Sequence, residues 1–195
     1  MAKLAEIERF QAEIRSEWRA WLEQNHATSS GIWLVTFKKN SGQPYFSYGE
    51  SVEEALCFGW VDSVGGKVDK LRSMLYFAPR KPKSGWAKPN KERIVRLLEA
   101  GLMRQAGLAK IEAAKLDGSW TLLDAVEALE VPDDLEKALK GFPNASANFE
   151  AFPRSVKRGI LEWIVQAKRP ETRAKRIEET ARLANESVRA NQWRP

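Results

Sequence analysis

Cysteine and histidine are almost absent: Cys57 and His26 each stand alone in 195 residues. A single thiol cannot close an internal disulfide, and with one imidazole it cannot supply the clustered ligands of a zinc or haem site. No metal or other cofactor is therefore expected. Long apolar runs are missing as well, since no stretch approaches the ~20 residues that span a bilayer. Residues 1–8 lack the apolar core and cleavage site of a secretory signal. The expectation is a cytoplasmic protein with no membrane span. Internal repeats and low-complexity tracts are also lacking.

What is present is an ordinary globular composition with an uneven charge. The net charge is +6, and residues 65–104 hold eleven Lys/Arg against three acids, a local excess of +8. The remainder must then sum to −2, so the positive charge is concentrated in one segment. That excess is compatible with an anionic small molecule, an acidic protein or a nucleic acid as partner.

Ile7, Phe10, Ile14, Trp18 and Trp21 recur at spacings of three and four, which predicts a helix over 4–25 with an aromatic underside. The β-branched and aromatic run 32–39 predicts a strand, and Asn40-Ser41-Gly42 a turn. Ser51-Val52-Glu53-Glu54 has capping-box spacing and predicts a helix start, with Gly59 as the stop. Runs 60–64 and 71–78 predict two strands of a hairpin, joined through Gly65-Gly66 and a charged stretch. Three prolines make 79–90 a loop. Helices are predicted beyond it at 91–99, 102–115, 120–130, 132–140, 145–152, 153–168 and 170–191, the last two as a hairpin. The fold class is α+β: a small N-terminal mixed α/β layer with an antiparallel hairpin, followed by a helical C-terminal unit. The boundary is placed between 131 and 132, giving domains 1–131 and 132–195.

Three stretches carry a family resemblance: Glu53-Glu54-Ala55-Leu56-Cys57-Phe58-Gly59-Trp60-Val61-Asp62, then Tyr76-Phe77-Ala78-Pro79-Arg80-Lys81-Pro82-Lys83-Ser84-Gly85-Trp86, and Trp163-Ile164 through Ala167-Lys168 and Glu171-Thr172-Arg173 to Arg176-Ile177. With these the chain resembles the YdeI/OmpD-associated, or bacteriocin-protection, family. Where that family usually has Arg-Phe-Thr-Pro-Arg, Tyr76 and Ala78 occupy the first and third places. The resemblance implies a role in stress or antimicrobial-peptide tolerance and, through the family name alone, an association with a porin.

The residues themselves point to a binding surface rather than a catalytic centre. Arg80 can pair with a carboxylate or phosphate and Trp86 can offer a ring face, so the candidate ligand-binding set is Trp60, Asp62, Tyr76, Arg80, Lys81, Lys83, Trp86 and Lys88. Arg173 and Arg176 are added from the third motif, to complete an anion site. The competing reading buries Trp60 in the core, pairs Asp62 with Arg80 inside the protein and leaves the lysines solvated. Glu53, Glu54 and Asp62 could form an acid–base group, but capping accounts for Glu54 and solvation for Glu53. Cys57 lacks a nearby base that would make it a nucleophile. Two alternatives stay open: a nucleic-acid-binding module, and an enzyme acting on a small metabolite.

Overall fold

The structure is a computed structural model that describes residues 7–192. Residues 4–6, the start of the helix predicted over 4–25, lie outside that range. The described residues divide into two compact units. The first comprises those up to Ser84 together with Pro89–Gly118, and the second comprises Gly85–Lys88 and those from Ser119 onward.

The first unit begins with β1 (Arg9–Gln11), α1 (Arg15–Asn25), β2 (Ile32–Phe37), α2 (Tyr48–Cys57), β3 (Trp60–Lys67) and β4 (Arg72–Pro79). The four strands form one sheet in the order β1-β2-β4-β3. Pairing is parallel between β1 and β2 and antiparallel elsewhere. Two helices follow, α3 (Lys88–Glu99) and α4 (Gln105–Leu116).

The long N-terminal helix is corrected. Its predicted first turns are the edge strand β1, because β2 offers the backbone partners a helix would otherwise supply: Trp33 N–H donates to the Glu8 carbonyl at 3.0 Å and Ala12 N–H to the Val35 carbonyl at 3.1 Å. The helix starts only at Arg15. The aromatic spacing still identified true neighbours, since the Phe10 ring lies 6.4 Å from Trp18 and 5.9 Å from Trp21.

The second helix start is corrected as well. Two Ser-x-x-Glu tetrads stand in tandem at 47–50 and 51–54, and the upstream one caps α2. Ser47 Oγ accepts from Glu50 N–H at 3.2 Å, and the Glu50 carboxylate accepts from Ser47 N–H at 2.7 Å. Ser51 lies inside the helix and donates to the Tyr48 carbonyl at 2.7 Å. Ser47→Ala is therefore expected to cost about 1 kcal/mol in urea unfolding, and Ser51→Ala distinctly less; equal losses would contradict the assigned cap.

The core of this unit is aromatic. Trp18 stacks on Trp21 at 5.4 Å and lies 5.2 Å from Phe77, while Trp60 meets Trp21 edge-on at 5.8 Å. The buried indoles keep their N–H groups bonded, Trp18 to the Ser51 carbonyl at 3.1 Å and Trp60 to the His26 carbonyl at 3.2 Å. Gly59, at φ +73°, ends α2 as predicted and turns the chain directly into β3. Gly65 and Gly66 are part of β3, beyond an irregularity between Asp62 and Gly65, so the hairpin's turn falls after Lys67.

The second unit holds α5 (Asp124–Glu127), α6 (Asp133–Lys140), α7 (Ala145–Ala151), α8 (Arg154–Val165) and α9 (Pro170–Asn185). Pro132 and Pro153 precede their helices and Pro170 opens α9, positions where a missing amide costs nothing. The buried side chains Leu135, Leu139, Phe149, Ile160, Ile164, Ile177, Ala181 and Ala184 form its core. α9 packs on α8, the predicted hairpin partner, and more extensively on α6 and α7. The expected α+β class is borne out, with the mixed sheet N-terminal and the helices C-terminal.

Candidate functional site

The sequence-predicted residues are distributed over both units. Trp60 is a core residue. Tyr76, on β4, is half-buried with its ring 5.5 Å from Trp33. Arg80 is only 6% exposed. Its backbone N–H donates to the Gly59 carbonyl at 2.9 Å, and its guanidinium donates to the Ser84 carbonyl at 3.3 Å. Burial draws the Arg80 guanidinium down to about 10, against which the Asp62 charge pulls upward. Asp62 in turn accepts a hydrogen bond from Tyr48 Oη at 2.9 Å. A polar chain thus links Tyr48, Asp62 and the buried Arg80.

Lys81 and Lys83 are exposed on the loop that Arg80 begins. Trp86, 2% exposed, and Lys88, exposed, belong to the second unit, where Trp86 packs 5.1 Å from Trp120. Arg173 and Arg176 are also in the second unit, each engaged there. Arg173 grips Asp134 with two bonds of 2.7 and 2.9 Å, holding that carboxyl below its ordinary 3.8. Arg176 donates to the Trp163 carbonyl and lies 4.9 Å from the centre of its ring.

The conjectured acid–base group does not assemble. Glu54 has no part in capping: at 3% exposure it accepts from Arg15 Nε at 2.5 Å and Arg19 Nη1 at 2.6 Å. Both guanidiniums feel burial, which lowers their pKa, but the bonds to Glu54 outweigh it and leave them raised. Glu53 is paired as well, with Arg15 at 3.2 Å and Arg96 at 3.5 Å. Cys57 is fully buried, and burial followed by the Glu54 charge pushes its thiol up, away from the reactive thiolate.

The +8 segment is not one patch. Arg96 meets Glu53 and Arg104 meets Glu23 at 2.6 Å, carboxylates from outside the segment. The register places Trp60 opposite Pro79 and Lys67 opposite Ser73. The turn lysines Lys67 and Lys70 are therefore separated from Lys81 and Lys83 by the length of the hairpin, about 20 Å at ~3.3 Å per residue.

What sequence reasoning missed is a concavity in the first unit. One end of the inner sheet face is covered by the aromatic core around Trp18 and Phe77. The other end is roofed by the 38–48 segment and encloses about 390 Å³. In register, Leu34, Leu75 and Gly65 form one row of its floor, and Thr36 and Ser73 the next. Tyr45 and Tyr48 line it while remaining 43% and 55% exposed. Lys38 and Lys39 are in the lining, and no carboxylate is. Lys38 Nζ is committed to the carbonyls of Asp69 and Lys70 at 2.8 and 3.0 Å, whereas the Lys39 side chain is exposed. Through Tyr48 this cavity adjoins Asp62 and Arg80 of the sequence motifs. A second hollow of about 460 Å³ lies in the second unit beside the Asp134–Arg173 pair. Among the described residues no helix is long and apolar enough to cross a membrane, and no three His, Cys, Asp or Glu side chains converge as a metal site.

These features define an α+β protein of two compact units, the first of which carries a ligand-sized cavity. Residues 10–110, just over half of the chain, match the family described as a domain of unknown function (DUF8412). Residues 128–186 match the family described as Bacteriocin-protection, YdeI or OmpD-Associated. The chain belongs to the first of these families, and the match of residues 128–186 to the second bears out the resemblance read from the sequence and locates it in the second unit. The motifs at 53–62 and 76–86 lie in the region matched by the other family. No curated protein and no solved structure matches the chain.

Proposed function

We propose that this YdeI/OmpD-associated protein is a binding protein whose first unit holds an anionic small molecule in the cavity between the sheet and the 38–48 segment. The observation that carries this is the lining, which has two lysines, two exposed tyrosines and no carboxylate around about 390 Å³, a volume in the range of ligand pockets. Asp62 and Arg80 support the wall through Tyr48 and need not touch the ligand. Lys81 and Lys83 form the outer basic surface, suited to an acidic partner. The locked Glu54 and the buried Cys57 favour binding over catalysis. A role in stress or antimicrobial-peptide tolerance rests on the family description alone.

The test is amide shift mapping of the full chain with benzoate, citrate and adenosine monophosphate, each at millimolar concentration. At least one anion is expected to shift amides of Thr36, Gly65 and Ser73. Gly65→Leu should abolish those shifts without unfolding the protein, because a Cβ at Gly65 meets nothing within 4 Å. Shifts confined to Lys81 and Lys83 would move the site to the loop. No shifts with any of the three would refute the reading.

A further inference from the structure

We infer that the ligand of this cavity is a small aromatic monocarboxylate, an inference that rests on the anion-binding reading above and narrows it. The argument is the order of chemistry along the cavity floor. Leu34 pairs with Leu75, and Leu75 with Gly65, so these residues share one face of the sheet. Two residues along each strand, Thr36 stands opposite Ser73 on the same face. The floor therefore changes from apolar to hydroxyl over one pleat repeat, ~7 Å. Beyond Thr36 the chain leads directly to Phe37, Lys38 and Lys39, all in the lining.

Gly65 decides where the body of the ligand goes. Its neighbours in register are leucines, and its missing side chain leaves open space over them. A planar ring fits above that row, beside the aromatic residues Tyr45 and Tyr48 of the lining. A polar head placed on the same axis then reaches the Thr36 and Ser73 hydroxyls, which can each donate one hydrogen bond.

The head group is read from the cations. Lys38 is held by two main-chain carbonyls, which leaves the Lys39 ammonium as the exposed charge of the lining. No arginine lines the cavity. A phosphate dianion is characteristically held by arginine forks or by successive backbone amides, whereas one ammonium and two hydroxyls match a single carboxylate. A neutral head would leave the ammonium without a counter-charge, and a second acid group would lack a cation.

Calorimetric titration of the full-length protein with four matched probes tests this. Benzoate is the aromatic acid, benzamide its neutral counterpart, cyclohexanecarboxylate its non-planar counterpart and phenyl phosphate the dianion. Benzoate is expected to bind at least about tenfold more tightly than benzamide, and more tightly than the other two. Lys39→Gln should lower benzoate affinity about tenfold, about 1.4 kcal/mol, and leave benzamide binding unchanged. Lys39 is exposed, so this variant retains the fold. Benzamide binding as tightly as benzoate, or a preference for phenyl phosphate or cyclohexanecarboxylate, overturns the inference. If citrate or adenosine monophosphate shifts the cavity amides while no benzoate binds, the monocarboxylate assignment fails and the anion-binding reading survives. If none of these anions reaches the cavity, both fail.

Discussion

Glu54→Leu is expected to destabilise the protein by about 3 kcal/mol, the scale of breaking a buried ion pair from one side. The carboxylate is the shared acceptor of Arg15 and Arg19, with bonds of 2.5 and 2.6 Å. Removing it leaves two partly buried guanidiniums facing an apolar side chain. Their remaining contacts do not replace it: Arg15 keeps Glu53 at 3.2 Å, and Arg19 keeps the Leu102 carbonyl at 3.0 Å and Glu23 at 3.6 Å. Urea unfolding at neutral pH gives the loss. Glu54→Gln, which preserves an acceptor without the charge, should fall between wild type and Glu54→Leu. A loss below about 0.5 kcal/mol for the leucine variant, the level of an exposed pair, would show that α1 and α2 are joined by packing alone.

Gly107→Ala is expected to be at least as damaging, about 3 kcal/mol or more. A Cβ at this position of α4 would stand 2.4 Å from the Cys57 carbonyl oxygen and 2.7 Å from that of Leu56. Both obstacles are backbone at the end of α2, so no side-chain rotation relieves the contact. The same Cys57 carbonyl accepts from Arg104 N–H at 3.1 Å, and separating the helices endangers that bond too. Gly159, inside α8, is the control, since a Cβ there meets nothing within 4 Å. Its replacement by alanine should stabilise by up to about 1 kcal/mol, the ordinary helix-propensity gain. A Gly107→Ala protein with wild-type stability in thermal and urea unfolding would disprove the close approach of α4 to α2.

The candidate site was legible only in part. Asp62 and Arg80 were singled out from the motifs, and their electrostatic link is present. Arg80 and Trp86 are anchors rather than surface contacts, because the segment between β4 and α3 is shorter than the loop expected over 79–90, Pro79 ending the strand and Pro89 lying in the first turn of the helix, and both large side chains are buried. Lys39, Thr36, Ser73, Tyr45 and Tyr48 were not singled out. Each is unremarkable in its own stretch, and they converge only when β2 and β4 pair across a separation of nearly forty residues.

By itself the sequence determined the elements whose signals are local. The alternating and aromatic runs specified β2, β3 and β4, Gly59 fixed the end of α2, and the prolines at 132, 153 and 170 marked the starts of helices. Such features depend on backbone torsion and on side chains a few residues apart, which any reader of the chain can see. The tertiary structure alone decided that residues 9–11 join a sheet rather than a helix, and that Ser47 rather than Ser51 caps α2. It also decided that Glu54 is an ion-pair centre, that Lys67 and Lys70 stand at the opposite end of a hairpin from Lys81 and Lys83, and that Arg96 and Arg104 are paired with carboxylates from outside the +8 segment. In each of these cases the local sequence permits more than one arrangement. The choice between them was made by partners distant in sequence, whose hydrogen bonds and charges act only once the chain is folded.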